Sequence, residues 1–557
     1  MIREFYKDRT ILLTGATGFL GKGIAAKLLR DLPEVRRIYT LVRPGKQDDG
    51  SPISAAQRLQ EELFDNSVFD RFKAREPERY AQVKEKIVPF AGDLTQPGLG
   101  IDQPLLQQLC DEVDLIVSSG ATVDFDAPLD ASIILNSLGP QELLGFARQC
   151  HKEVIFLHIS TAYTYGKLTG YLAEEPLPLD RTIRQMMSPT PPETPFDPEA
   201  EIAACQEYCT HLRQRAVSAE MEEVFRSETL QENTRELSER RLEKLIDGRR
   251  KRWLERALVE EGMRRAKDYG WNDVYTFTKA MGEQMLVKHH GDIPLVIVRP
   301  SVIESSLADP EPGWISGLKV TDPLVVAYGR GQVPDFPARA DVPMDLVPAD
   351  IVVNIVLAAA TQAVRQEVRV FHAATSGRNP LMNPIMFRYI RQHFDAHPML
   401  GRDGKAPELT NWTFPSVRKF RTMFNLRYLY PLELRQWLYK YLPESWVPAR
   451  KKRMLGAIRS RLNRVSYYTD LFSPYTHLDC RFECEKSQAL FESLSPQEQD
   501  LFNMDVNSID WAWYYPKIHL PGLRKHVLKE EGGGEPLLQE VVATDGYVDR
   551  GIESRGG

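Results

Sequence analysis

The chain has 557 residues, 42% of them hydrophobic and 27% charged, with a formal net charge of −6. That length suggests two domains, and that balance describes an ordinary soluble protein with no basic excess toward nucleic acid. Met1 to Arg9 lacks a signal peptide's apolar core, and the longest apolar run, Ile351 to Ala360 with Asn354 inside it, is about half of the ~20 residues that span a bilayer. A cytoplasmic protein is expected.

The first predicted strand, Ile11-Leu12-Leu13, runs into Thr14-Gly15-Ala16-Thr17-Gly18-Phe19-Leu20-Gly21, after which Ile24, Leu28 and Leu29 recur at helical spacing. Glycines between a strand and a helix let the backbone turn sharply, admit a pyrophosphate against bare main chain and aim a helix N-terminus at its charge. A dinucleotide site is expected over Thr14 to Gly21. The second strand, Arg37 to Val42, ends at Arg43-Pro44, where an NAD enzyme places Asp or Glu against the adenosine ribose. A guanidinium suits a 2′-phosphate, so Arg43 favours NADPH over NADH. The third strand, Ile87 to Phe90, ends in Gly92-Asp93-Leu94, and the fourth, Leu115 to Val117, in Ser118-Ser119-Gly120-Ala121. At the carboxyl edge of the sheet, Asp93, Leu94, Ser119 and Gly120 are expected over the adenine and its ribose.

The fifth strand, Val154 to Ile159, leads into Ser160-Thr161-Ala162-Tyr163-Thr164-Tyr165-Gly166, where a hydroxyl can reach the reacting partner of a nicotinamide. A tyrosine and a lysine four apart on a helix face the same way. Three pairs have this spacing. Tyr80/Lys84 precedes the third strand, and Tyr163/Lys167 sits in a turn. Tyr275/Lys279 opens a predicted helix to about Lys288, followed by the strand Leu295 to Val298 and then Arg299-Pro300-Ser301. Only that last context places a phenol and an ammonium over a nicotinamide ribose. The six cysteines suggest a reducing compartment. Cys205/Cys209 and Cys480/Cys484 are each four apart, unlike a zinc knuckle, and no metal is expected.

Together the glycine turn in its G-x-x-G-x-x-G form, the Ser-Thr-Ala-Tyr turn, Tyr275 with Lys279, Val298 to Ser301 and Asp345-Leu346-Val347-Pro348-Ala349-Asp350 resemble an extended short-chain dehydrogenase/reductase. Within that group the chain most resembles the bacterial alcohol-forming fatty acyl-CoA reductases, from Phe5 to about Leu520. The resemblance implies an α/β fold: a Rossmann-type doubly wound parallel sheet with a long helical insertion, plus a smaller, mainly helical C-terminal domain. The boundaries expected are 1–375, with the insertion at about 168–270, and 376–524; beyond Lys525 the chain is glycine-rich and charged, so a disordered tail is expected at 525–557. Aligned on Tyr-x-Tyr-Gly, Thr161 takes the place of the catalytic Ser/Thr, Tyr275 and Lys279 complete the catalytic set, and Pro300 and Val302 border the cofactor. The implied reaction takes long-chain fatty acyl-CoA through a fatty aldehyde to a primary alcohol at the expense of NADPH. An aldehyde-only product, a nucleotide-sugar epimerase or dehydratase, and a non-catalytic dinucleotide-binding protein on membranes are the alternatives.

The chain departs from simpler members between Lys167 and Gly270. Met187 to Pro198 is proline-rich, and Glu199 to Ala266 is dense in Glu and Arg, with Met221, Val224, Phe225, Leu230, Leu237, Leu242 and Leu245 at helical spacings. Long amphipathic helices are expected, as a solvated arm, a dimer contact or a lid over the acyl chain. Between Ser416 and Val465 stand thirteen Lys/Arg and two Asp/Glu, interleaved with Phe420, Phe424, Tyr428, Tyr430, Trp437, Tyr439, Tyr441 and Trp446. That mixture points to an acyl groove with a membrane-facing basic rim that includes Arg450 to Arg453, or to a solvated basic face. No nucleic-acid motif accompanies it. Peripheral contact with an anionic membrane and a homo-oligomer both remain open.

Overall fold

A computed structural model describes every residue except 47–49, 233–237, 334, 402, 443–448 and 530–557. Seven strands form one sheet: β1 (Thr10–Thr14), β2 (Arg37–Val42), β3 (Ile87–Ala91), β4 (Leu115–Ser118), β5 (Ile155–Ile159), β6 (Leu295–Pro300) and β7 (Val368–Ala373). Their spatial order is β7-β6-β5-β4-β1-β2-β3, and every pairing is parallel. Winding proceeds one way from β1 to β3 and the other way from β4 to β7, so the crevice between β1 and β4 is the switch point at which doubly wound sheets bind ligands.

Parallel strands covered on both faces read as continuous apolar runs, and β1, β5 and β6 are buried throughout. Side chains alternate between the faces. Ile11, Leu13, Val117, Leu157 and Val298 join one apolar cluster, whereas Leu12, Ile116, Phe156 and Ile297 join the other. Helices Gln103–Glu112 and Gly139–Gln149 cover the smaller cluster. Helices Phe19–Asp31 and Ala349–Ala360 cover the larger, and the latter is buried at every position. A helix that is apolar all round needs cover on every side, so this short run is core. Among the described residues no helix is long and apolar enough to cross a membrane.

The larger cluster continues into the C-terminal region, where Phe482, Trp511, Tyr514, Tyr515 and Leu520 pack into the same core as β1 and β6. Strand Cys480–Phe482 pairs in parallel with Gly170–Leu172, and buried Glu174 accepts from the His372 amide at 2.8 Å and from Ser487 Oγ at 2.9 Å. The six cysteines are free thiols.

The insertion forms helices Pro198–Ala216, Ala219–Glu232 and Glu239–Tyr269. Its base, through Ile202, Cys205, Leu258 and Ala266, belongs to the main core. Its far end has a small core of its own, built from Met221, Phe225, Leu242 and Ile246. Val224 and Leu230, expected on that apolar stripe, are exposed instead, and Leu237 lies outside the described residues. A short two-helix tip offers one seam only, and 221/225 with 242/246 fill it.

Candidate active site

Each glycine of the first turn meets a separate steric demand. Gly15 has φ +71°, and a Cβ on it would lie 2.7 Å from the Ser119 carbonyl oxygen. On Gly21 it would lie 2.1 Å from the Gly15 oxygen, and on Gly120, 2.8 Å from Leu94 Cδ1. Thr14 Oγ1 accepts from the Ser119 and Gly120 amides, both at 3.1 Å, and so fixes β4's end against β1's. Gly15, Thr17, Gly18, Arg43, Asp93, Leu94, Ser119 and Gly120 line one cavity of ≈ 190 Å³. Helix Phe19–Asp31 begins there with Gly18 as its N-cap and no acidic residue in its first turn. Bare backbone, a helix N-terminus and two arginines on the lining suit a dinucleotide's phosphates.

The remaining expected contacts do not line that cavity. Thr14 and Gly21 shape it, and the Phe19 ring packs on Trp314 with centroids 5.1 Å apart. Leu20 is partly buried against the core. Pro300 ends β6 and takes a bond from Thr161 Oγ1 at 3.4 Å, while Val302 is core. Arg58 does line the cavity and was not legible. It lies outside the glycine motif and the strand ends, and it is brought in by a bond from its Nη1 to the Arg43 carbonyl at 3.0 Å.

Thr161, Tyr275 and Lys279 meet beyond the ends of β5 and β6. Thr161 caps the short 3-10 turn Ala162–Tyr165, accepting from the Tyr163 amide at 3.3 Å. Helix Val274–His289 carries Tyr275 in its first turn and Lys279 one turn on. Thr161 faces the Tyr275 phenol; burial pushes the phenol's pKa above the ordinary value, and Thr161 opposes the rise. Lys279 Nζ is buried, donates to the Ile159 carbonyl at 2.6 Å and lies 3.2 Å from His158 Nε2. Burial lowers the lysine to about 8. His158 is held far below its usual pKa by burial and by the Lys279 charge, so it is neutral: Nε2 accepts from the ammonium and Nδ1–H donates to Ser118 Oγ at 3.2 Å. The two other Tyr/Lys pairs fall away. Tyr80 packs on Phe69 and Phe72, and Lys167 stays exposed.

Two buried acids orient the helix that carries Tyr275 and Lys279. Asp273 caps it, accepting from the Thr276 amide at 2.8 Å and from the Tyr475 hydroxyl. Glu283, on its third turn, forms a fully buried, two-pronged ion pair with Arg299 of β6. Arg299 Nη1 also donates to Tyr165 Oη and to the Glu175 carbonyl, both at 2.9 Å. Around Tyr275 stands an aromatic wall. The Phe125 centroid is 5.9 Å from that of Tyr275, 5.3 Å from Tyr475 and 5.8 Å from Phe472, and Tyr163 meets Tyr475 edge-on at 4.9 Å. Helix Ala449–Thr476 supplies Phe472 and Tyr475, so the C-terminal region walls the reductase site. His158, Asp273 and Glu283 went unassigned in the sequence. An ionisable residue inside an apolar strand or on a helix's inner face was the available signal, but their partners come from distant segments.

The sheet, the switch-point cradle and the Thr161–Tyr275–Lys279 cluster define an extended short-chain dehydrogenase/reductase. A family profile described as "Male sterility protein" matches residues 13–356, and a second with the same description matches residues 446–530. The chain is 32% identical over 536 residues to "Fatty acyl-CoA reductase 1" of Arabidopsis thaliana, covering 95% of this chain and 99% of that protein. It is 29% identical to "Alcohol-forming fatty acyl-CoA reductase" of Simmondsia chinensis, with 95% and 99% covered. Among solved structures, the terminal R domain of the myxalamid PKS-NRPS pathway shares the fold, with a TM-score of 0.53 at 16% identity and 93% and 91% covered. The chain belongs to the fatty acyl-CoA reductase family.

Proposed function

We propose that this chain reduces long-chain fatty acyl-CoA to a primary fatty alcohol with NADPH, through an aldehyde that stays at one site. The observation that carries the reading is the Tyr275 phenol, beside Thr161, one helical turn from the Lys279 ammonium and packed on the Phe125 ring. A bound NADPH supplies the hydride. Tyr275 and Thr161 donate hydrogen bonds to the thioester oxygen as it gains negative charge. Lys279 favours ionisation of the phenol and, fastened to His158 and the Ile159 carbonyl, stays in place. The resulting hemithioacetal collapses with loss of the CoA thiolate and leaves an aldehyde. In the second reduction Tyr275 gives its proton to the alkoxide. This route needs no acyl-enzyme, and Cys480 is a buried thiol that burial holds protonated. The test is NADPH oxidation with palmitoyl-CoA, counting released thiol and identifying the product. About two NADPH per thiol with hexadecanol is expected; about one with free aldehyde makes the chain a one-step reductase.

NADPH is favoured over NADH by Arg43 and Arg58 on the cavity lining beside β2's end, whose guanidinium groups suit a 2′-phosphate. Arg43→Glu is expected to lower kcat/KM for NADPH by ~10-fold or more and to spare NADH, since a bond to a charged group contributes roughly 1.5–3 kcal/mol. Equal losses with both dinucleotides would remove the 2′-phosphate assignment.

The reading of residues 376–524 as the acyl- and membrane-contact region rests on helices Val417–Phe424 and Tyr430–Tyr441 with the turn between them. Phe420 and Phe424 are buried, but Met423, Leu426, Tyr430, Leu434, Trp437 and Tyr441 form one stripe whose members are 51% to 70% exposed. Tyr430, Trp437 and Tyr441 are exposed, with Arg418, Lys419, Arg421, Arg427 and Arg435 exposed beside them. Apolar rings among cations suit the interface of an anionic bilayer. Trp446 lies outside the described residues, as do the side chains of Arg450, Lys452 and Arg453 and the tail from 530 onward. Salt-sensitive sedimentation with phosphatidylserine vesicles, lost in Leu434→Ser/Trp437→Ser, is the expected result. Retention of binding by that variant would remove the stripe from the contact.

A further inference from the structure

Remote from Tyr275 in sequence, three side chains converge in a sealed pocket between the reductase core and the C-terminal region. Glu304 follows β6, Asp322 opens helix Asp322–Gly329, and His519 lies near the C-terminal end of the described chain. All three are fully or almost fully buried, and one ligating atom from each falls within 4.8 Å of the others. Those atoms, Glu304 Oε2, Asp322 Oδ1 and His519 Nε2, make no hydrogen bond. Their opposite ends are all held: Glu304 Oε1 accepts from Thr321 Oγ1 at 2.6 Å, Asp322 Oδ2 accepts from the Lys319 amide at 2.6 Å, and His519 Nδ1 is 3.1 Å from Ser305 Oγ. Outer bonds of this kind orient metal ligands, and a Ser305 hydroxyl accepting from Nδ1–H would leave the Nε2 lone pair for a metal.

The spacing also discriminates. An imidazolium clasping a carboxylate would aim its N–H at one oxygen, at about 2.7–2.9 Å. Here Nε2 stands 3.4 Å from Glu304 Oε2 and 3.3 Å from Asp322 Oδ1, nearly equidistant and bonded to neither. Metal–ligand bonds of about 2.0–2.1 Å in a tetrahedron give ligand-to-ligand edges of about 3.3–3.4 Å. We propose that Glu304, Asp322 and His519 form a site for one zinc-class divalent cation. One nitrogen and two carboxylate oxygens suit zinc or a neighbouring first-row ion over calcium, which prefers oxygen alone. The buried hydroxyl of Tyr515 lies near enough to feel the charge of both acids. The sequence expectation of no metal rested on cysteine spacing; these ligands are too far apart in the chain to leave a spacing signature.

The cation would tie the C-terminal segment to the loop between Glu304 and Asp322. That loop carries Trp314 and Lys319, whose Nζ lies 4.2 Å over the Phe19 ring at the mouth of the dinucleotide helix. The site is structural and independent of the proposed chemistry at Tyr275. The test uses the full chain, purified without metal-chelating resin. Metal analysis should find about one zinc-class ion per chain. After chelation, added Zn2+ should raise Tm, and added Co2+ should give the visible bands of a tetrahedral nitrogen/oxygen site. His519→Gln and Asp322→Asn should each weaken Zn2+ binding by ~100-fold or more, and the unsubstituted chain decides the matter if those variants fail to fold. Background metal content, together with a chelated, folded chain that takes up neither Zn2+ nor Co2+, would overturn the proposal and leave a buried imidazolium between two acids.

Discussion

Tyr275→Phe is expected to lower kcat with fatty acyl-CoA by ~10²–10⁴-fold, the range associated with losing a positioned general acid, while dinucleotide affinity stays unchanged. The glycine turn, Arg43, Arg58 and Lys279 are untouched by that change, so the binding cavity persists. What disappears is the hydroxyl beside Thr161 that can give up a proton at the reacting oxygen. A rate near that of the unsubstituted chain would remove Tyr275 from the chemistry. The pH profile supplies a second reading of the same site. Burial lowers Lys279 to about 8, so below that pH the ammonium is charged and favours phenol ionisation; above it the charge is lost. kcat/KM, which reports groups of the free enzyme, should be level below about 8 and fall above it, and Lys279→Met should abolish that limb along with most of the activity.

Arg299→Met should cost roughly 3–5 kcal/mol of stability, because it strands the Glu283 carboxylate in a site with no solvent access. The same substitution frees Tyr165 Oη and the Glu175 carbonyl from their arginine partner. Glu283 sits on the helix that carries Tyr275 and Lys279, so activity should fall with stability. Denaturant midpoints test this directly. Arg299→Met/Glu283→Leu, which removes both charges, should regain much of the lost stability, since a well-packed apolar pair is often as stable as a buried ion pair. A double variant no better than Arg299→Met alone would mean that packing or the Tyr165 contact, rather than the stranded charge, dominates.

The parts legible in the sequence are those whose physics is local. Ile11 to Gly21 announces strand, turn and helix within a dozen residues, because the steric demands at Gly15 and Gly21 are met by neighbouring backbone. The four-residue step from Tyr275 to Lys279 is likewise fixed by helix geometry, and its helix-then-strand context distinguishes it from the two other pairs. Arg43 could be read because it follows a strand directly.

Tertiary structure decided what depends on distant segments. Arg58 reaches the dinucleotide cavity only through the Arg43 carbonyl, and His158 becomes the partner of Lys279 only when β5 meets the helix at Val274–His289. The exposure of Tyr430, Trp437 and Tyr441 was likewise not legible, because periodicity gives a face but not its neighbour. Glu304, Asp322 and His519 converge from three elements that no local pattern connects. The sequence by itself determined the class of fold and the proposed reacting pair, since backbone sterics and helical spacing act over a few residues. Which buried charges are compensated, which rings face solvent and how the C-terminal region walls the site were decided by long-range packing, which no short window contains.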